Sequence, residues 1–177
     1  MNNLKYSDET FSFKKCTIKN LEEICKIQEI AFENLDNKEL LRRNSREMLE
    51  ACFYEPHYVL GAFHKEKLVA FAILFDGGKT DENIGKDIGV SEENLSSVIN
   101  FKLVIVLPEY RGNRLHIKLI YELEKVAIAK GKKLMCATVS PMNVHSSKNF
   151  EKAGFIFHSK KMKYSGLERN IYYKELD

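Results

Sequence analysis

The chain lacks most of the features that would fix its class at a glance. Its longest apolar runs, Leu68 to Phe75 and Leu103 to Leu107, fall far short of the ~20 residues a membrane-spanning helix needs. Its opening residues, MNNLKYSDETFSFKK, have no apolar core of the signal-peptide kind, so a cytoplasmic location is expected. No two of the cysteines (Cys16, Cys25, Cys52, Cys136) are spaced as CxxC, and each falls in a periodic apolar segment. They read as small buried thiols rather than disulfides or metal ligands. The histidines at 57, 64, 116, 145 and 158 form no HxxxH or HExxH pattern, so no metal is expected. The net charge of +3 is too small to imply a nucleic-acid partner, and the lysine clusters at 130–133 and 160–163 read as solvated faces. Neither nucleic acid nor membrane is an expected partner. "DGGKT", Asp76 to Thr80, ends like a phosphate-binding P-loop, but that motif needs a glycine where Ile73 stands and a helix after it. The segment reads instead as a flexible loop.

What remains is a soluble-type composition, 44% apolar and 30% charged, over 177 residues without repeats or linkers. One domain over residues 1–177 is expected. Phe11 to Ile18 reads as a strand. Asn20 with Glu23 looks like a capping box ahead of helical spacing at Leu21, Ile24, Ile27, Ala31 and Leu35. A second helix is expected over Lys38 to Phe53, ended by Pro56. Tyr58 to Phe63 and Leu68 to Phe75 form a hairpin, followed by a long polar loop, Asp76 to Ser97. A strand at Ile99 to Leu107 leads through a turn to a helix ending near Lys130, with Gly131 as its stop. Then come a strand at Leu134 to Val139, a short helix at Asn143 to Ala153, and a hairpin of Phe155 to Tyr164 with Asn170 to Leu176. The order β-α-α-β-β-β-α-β-α-β-β implies a mixed α/β (α+β) fold. Its sheet is mostly antiparallel, with one parallel pair around the crossover at 99 to 139. Exposed edge strands would let two copies pair as a homodimer.

The sharpest local signal is VLPEYRGNRLH, Val106 to His116. A buried strand meets a helix here through a proline, two arginines and one glycine. A helix N-terminus offers free amides and a favourable dipole to an anion, Gly112 permits close backbone approach, and Arg111 adds a fixed charge. The residues alone leave two readings open, a phosphate cradle and an ordinary corner.

This segment resembles motif A of the GNAT superfamily of acyl-CoA N-acyltransferases, in which V-x-P-x-x-R-G runs into [QR]-x-x-G-x-[GA] around the coenzyme A pyrophosphate. The segment VSPMNVHSSKNFEKAGF, Val139 to Phe155, is similar to the family's N-x-x-[AS]-x-x-x-[YF]-x-x-x-G-[FY]. The element order also matches, over nearly the whole chain. The resemblance implies a GNAT-like sheet of about seven strands flanked by about four helices. It implies an N-acetyltransferase that moves an acetyl group from acetyl-CoA, its cosubstrate, to a small-molecule or protein amine by direct attack. The alternative is a non-catalytic, regulatory acyl-CoA binder on the same fold. The cofactor residues it implies are the backbone of Val104, Ile105 and Val106, the turn Arg111, Gly112, Asn113, Arg114, Leu115 and His116, and Asn143, Ser146 and Phe150. The Lys-, Asn- and Ile-rich composition points to a bacterial, AT-rich genome.

The departures from the family pattern are as informative. Arg114 replaces the glycine and His116 the small residue, although backbone amides serve whatever the side chain. Lys102 stands six before Pro108, where the family often has a carboxylate base, and Phe150 replaces the tyrosine that protonates the departing thiolate. The catalytic residues are therefore unassigned. Glu33, Asp36, Asp76 and Asp81 are the candidate bases, and nothing in the sequence chooses among them. His145 reads as an exposed residue at a helix start.

Overall fold

The computed structural model describes residues 10–177. One seven-stranded sheet runs through it, in the order β1-β2-β3-β4-β5-β7-β6. The strands are β1 (Phe11–Lys15), β2 (Tyr58–His64), β3 (Lys67–Phe75), β4 (Val98–Val106), β5 (Leu134–Val139), β6 (Ile156–Lys163) and β7 (Leu167–Glu175). The helices are α1 (Leu21–Glu33), α2 (Arg46–Ala51), α3 (Leu115–Ala129) and α4 (Val144–Lys152). All neighbouring strands are antiparallel except β4 and β5, which the α3 crossover makes parallel. The order of helices and strands is the one expected from the sequence.

The central strand shows why. Every residue of β3 from Leu68 to Leu74 is at most 2% exposed, because the sheet is covered on both faces and an unbroken apolar run is what such a strand requires. Helix α1 packs on β3 and β4, and α3 packs on β2, β3 and β4. The sheet edges are β1 and β6. Strand β6 is exposed along most of its length but carries Lys160, Lys161 and Lys163, charges that discourage strand addition at an open edge.

Four local expectations need correction. Asn20 does not cap α1 forward; its side chain accepts from the Thr17 amide at 3.0 Å, closing a 3₁₀ turn that precedes the helix. The second helix is shorter than its apolar spacing suggests. Residues 38–40 form a separate 3₁₀ turn capped by Asn37, and Ser45 accepts from Met48 N to start α2 afresh at Arg46. The final hairpin turns earlier and more tightly, at Tyr164, Ser165 and Gly166, all with positive φ. The long loop expected at 76–97 is not without structure of its own. It holds two 3₁₀ turns (Ile84–Ile88 and Glu92–Ser97) pinned by a buried polar network. Asn83, fully buried, donates to the carbonyls of Gly78 (2.6 Å) and Leu95 (3.1 Å) and accepts from Gly85 N (2.9 Å). Asn100 of β4 accepts from Ile84 N and donates to the Glu82 carbonyl at 2.9 Å. A small second core of Ile84, Val98, Cys136 and Ile171 seals the segment to the sheet.

Candidate active site

The turn after β4 has the shape of an anion cradle. A 3₁₀ turn at Pro108–Tyr110 leads to Gly112, whose φ of +84° is the left-handed value that glycine adopts freely. No heavy atom lies within 4 Å of where a Cβ would sit there, so the glycine serves the backbone angle and not a tight contact. Asn113 is buried and braces the turn, donating to the Tyr110 carbonyl at 2.9 Å. Arg114, at φ +59° and ψ +20°, is the N-cap of α3. It holds a left-handed conformation, which glycine adopts more readily, at a local cost of roughly 1–2 kcal/mol. The Lys118 amide closes onto the Arg114 carbonyl at 3.1 Å. The amides of Leu115, His116 and Ile117 precede that bond and have no carbonyl within the helix to accept them. Arg111 and Arg114 are exposed, and neither pairs with a carboxylate among the described residues. The cradle thus has free amides, a helix dipole and two available guanidinium groups.

His116 does not obstruct it. Its ring turns inward and meets Phe150 edge-on at 5.6 Å. Burial, then the neighbouring His145, hold it neutral, with a pKa pushed down to about 4. Its Nε2 is buried without a hydrogen-bond partner, as is Ser147 Oγ on α4. Ser147 lies one helical turn before Phe150 on α4.

The gap that such a ligand would enter lies between β4 and β5. The two strands pair only from Val98↔Leu134 to Phe101↔Ala137; beyond that, β4 continues to Val106 and β5 to Val139 without touching. A bulge starts the divergence. Ile73 faces Leu103 and Leu74 faces Phe101, which leaves Lys102 as the extra residue. The Leu107 amide bonds the Val69 carbonyl of β3 at 2.9 Å. Strand alternation then turns the amide of Ile105 to β3 as well, and those of Val104 and Val106 to the gap. Of the three backbone groups expected from the sequence, Ile105 is therefore the one withdrawn.

On the opposite face from α4, a second group of side chains converges on the bulge. The Lys102 side chain is 10% exposed, with Nζ 4.1 Å from the Phe75 ring centroid and 3.6 Å from Glu82 Oε2. Burial lowers its pKa below the ordinary lysine value, partly opposed by Glu82. Glu82 Oε1 lies 3.9 Å from Arg42 Nη2, and the Arg42 guanidinium stacks on Tyr164 at 3.9 Å. The Tyr164 hydroxyl is 3.0 Å from Thr138 Oγ1, on the first β5 residue past the last pair with β4. A cleft of about 400 Å³ opens here, lined among others by Lys38, Glu39, Leu41, Arg42, Tyr164 and Leu167.

The sequence profile of the acetyltransferase (GNAT) family matches residues 21–155. The chain belongs to this family. Solved structures agree on the fold. The protein yncA of Salmonella typhimurium, solved with its cofactor acetyl-CoA, superposes with a TM-score of 0.70 at 19% identity, over 95% of each chain. The ribosomal-protein-S18-alanine N-acetyltransferase of Escherichia coli gives 0.72 at 16%, over 94% of each. The paia N-acetyltransferase of Thermoplasma acidophilum, in complex with coenzyme A, gives 0.68 at 17%, over 93% of this chain and 98% of that one. No protein of curated function matches the sequence.

In this GNAT acyltransferase the expected site residues fall into three groups. Arg111, Gly112, Arg114, Leu115 and His116 gather at the start of α3, with Asn113 as the brace beneath them. Asn143 is the N-cap of α4, its Oδ1 accepting from Ser146 N at 3.1 Å, and Ser146 is buried in the first turn of that helix. Phe150 is 2% exposed, packed edge-on against Phe101 and Phe155, where it fills the floor of the gap. The candidate bases are not brought to the bulge. Asp76 is ion-paired with Lys132, and Asp81 is fully exposed beside Lys86; Glu33 and Asp36 lie on the surface. Glu82, which sequence reasoning missed, is the carboxylate that reaches Lys102. No spacing rule could have found it, because Asn100 holds its backbone over β4 from 18 residues away.

Proposed function

We propose that the protein is an N-acetyltransferase that transfers the acetyl group of acetyl-CoA to a small-molecule or protein amine by direct attack. The observation that carries this reading is the parting of β4 from β5 just past Phe101, with the amides of Val104 and Val106 facing the gap and the α3 cradle at its mouth. When bound, acetyl-CoA supplies a carbonyl carbon for the amine nitrogen to attack and a sulfur that leaves with the electron pair of the broken bond. The amides of Leu115, His116 and Ile117, with Arg111 and Arg114, hold phosphate oxygens. Val104 and Val106 donate to an oxygen as it gains negative charge. Glu82, 3.6 Å from Lys102, accepts the proton of the amine. Phe150 donates no proton, which a thiolate leaving group tolerates, since free thiols titrate near ~8.5. Glu82 is also the observation that favours turnover over a merely acyl-CoA-binding role. A cytoplasmic site of action accords with four unpaired thiols, of which burial pushes Cys16 and Cys136 up to about 12.

Thermal unfolding tests the reading, with acetyl-CoA beside an adenine nucleotide that lacks the pantetheine. Ligand at a hundred times its Kd adds ~2.7 kcal/mol, a rise of roughly 5–11 °C for a domain of this size. Release of coenzyme A thiol in the presence of an amine panel then reports transfer. No rise with acetyl-CoA, or a rise without thiol release on any amine, rejects the reading.

A further inference from the structure

The acceptor cleft carries more positive charge than its surroundings neutralise. Arg169 of β7 is 3% exposed, yet no carboxylate pairs with it among the described residues. Its Nη1 and Nη2 donate to the carbonyls of Glu168 and Glu39, both at 2.8 Å. It shares a sheet face with Leu167, a lining residue, and so stands just behind the cleft wall. Arg42 lines the cleft, and its carboxylate contact, Glu82 at 3.9 Å, is too long to be a hydrogen bond. The Lys38 ammonium is held by the carbonyls of Phe32 and Glu33, at 2.7 and 3.1 Å, and by no carboxylate. Arg43 is taken up by two bonds to Glu29. The lining thus holds three cations, Lys38, Arg42 and Arg43, against one carboxylate, the exposed Glu39, with Arg169 behind the wall. A buried guanidinium without a counter-ion is a costly arrangement that an incoming anion relieves.

Glu82, half-exposed beside the cleft, lies within 4 Å of both Arg42 and Lys102. A lining cation, Arg42, thus stands next to a carboxylate at the edge of the cleft. That pair is complementary to a zwitterion, its acid group on the guanidinium and its amine beside the carboxylate. The cleft volume of about 400 Å³ lies at the small-molecule end of ligand sites.

We propose that the acceptor is a small amine bearing a carboxylate, an amino acid or a close analogue, with the carboxylate on Arg42 and the amine beside Glu82. This rests on the acetyltransferase reading above. The planar guanidinium, already oriented by its stack on Tyr164, suits two-pronged recognition of a carboxylate.

The test uses the full chain and the proteinogenic amino acids as free acids, each beside its own α-carboxamide. Thiol release gives kcat/KM for each pair. For the best substrate, the acid should exceed the carboxamide by about tenfold or more, the worth of one charge-assisted hydrogen bond. Arg42→Ala should collapse that ratio to near one, while Arg42→Lys, which keeps the charge but not the fork, should keep only part of it; acetyl-CoA-induced thermal shifts confirm that both variants are folded. In parallel, thermal shifts with the N-acetyl acids and N-acetyl carboxamides read binding without turnover. Selective binding of the acids, lost in Arg42→Ala, supports the inference even if no amine is acetylated, and in that case the transfer reading falls alone. Turnover with equal or better rates on carboxamides, an acid preference unchanged in Arg42→Ala, or no selective effect of acids in either assay overturns the inference. The first two of those outcomes leave the transfer reading standing.

Discussion

Replacing Arg114 by glycine separates what its backbone does from what its side chain does. Arg114 sits at φ +59° as the cap of α3, exposed and without an ion-pair partner among the described residues. The left-handed conformation costs an ordinary residue roughly 1–2 kcal/mol. Glycine removes that cost but returns freedom to the unfolded chain worth about 0.4–1 kcal/mol. The two oppose each other, so Arg114→Gly should leave stability within about 1 kcal/mol of the parent, a Tm shift of at most about 2–4 °C. Arg114→Ala keeps the Cβ and loses only the guanidinium. Both variants lose one exposed phosphate contact, so both should weaken acetyl-CoA binding by about tenfold or less. Calorimetric titration of the three proteins with acetyl-CoA measures this, and the difference between alanine and glycine isolates the Cβ. If glycine, and not alanine, tightened binding by more than about 100-fold, the side chain would be closing the cradle. The reading of the turn as a working phosphate site would then be wrong.

Three further outcomes are expected. Glu82→Gln should lower kcat by about 100-fold, the lower range for a general base, and leave the acetyl-CoA Kd unchanged; a fall of less than twofold removes Glu82 from the proton path. His116 is neutral when folded, with a pKa near 4 against an ordinary 6.5. Its contribution is present in full above pH 6.5 and is lost as pH falls from there toward 4, because the unfolded chain takes up the proton first. The parent should therefore lose roughly 2–3 kcal/mol more than His116→Gln over that range in urea unfolding at pH 7 and pH 4.5, and equal losses would contradict the burial of the ring. Gly61→Ala should destabilise by about 1–3 kcal/mol through overpacking. Its Cβ would fall 2.6 Å from Leu68 Cδ1 and 2.7 Å from Cys16 Sγ, and chemical denaturation at a single temperature suffices to check it.

The sequence by itself determined the order of helices and strands, the parallel crossover and the turn that leads into α3. Those features rest on local information. Apolar period separates strand from helix, Gly131 marks the end of α3, and the proposed cradle is eleven contiguous residues, Val106 to His116. The replacement of glycine by Arg114 was legible in the sequence, but its left-handed conformation was not. Tertiary structure alone decided the rest. The structure of residues 76–97 depends on Asn83 and Asn100 finding partners 5 to 18 residues away. The carboxylate beside Lys102 comes from Glu82, 20 residues away in the chain, and the cleft brings Lys38 and Arg42 together with Tyr164 and Leu167 of the last hairpin. Helices and turns arise from neighbours along the backbone, and periodicity records them. A catalytic or acceptor site is a sum of long-range contacts and unmet charges, and these exist only once the sheet has brought its strands together.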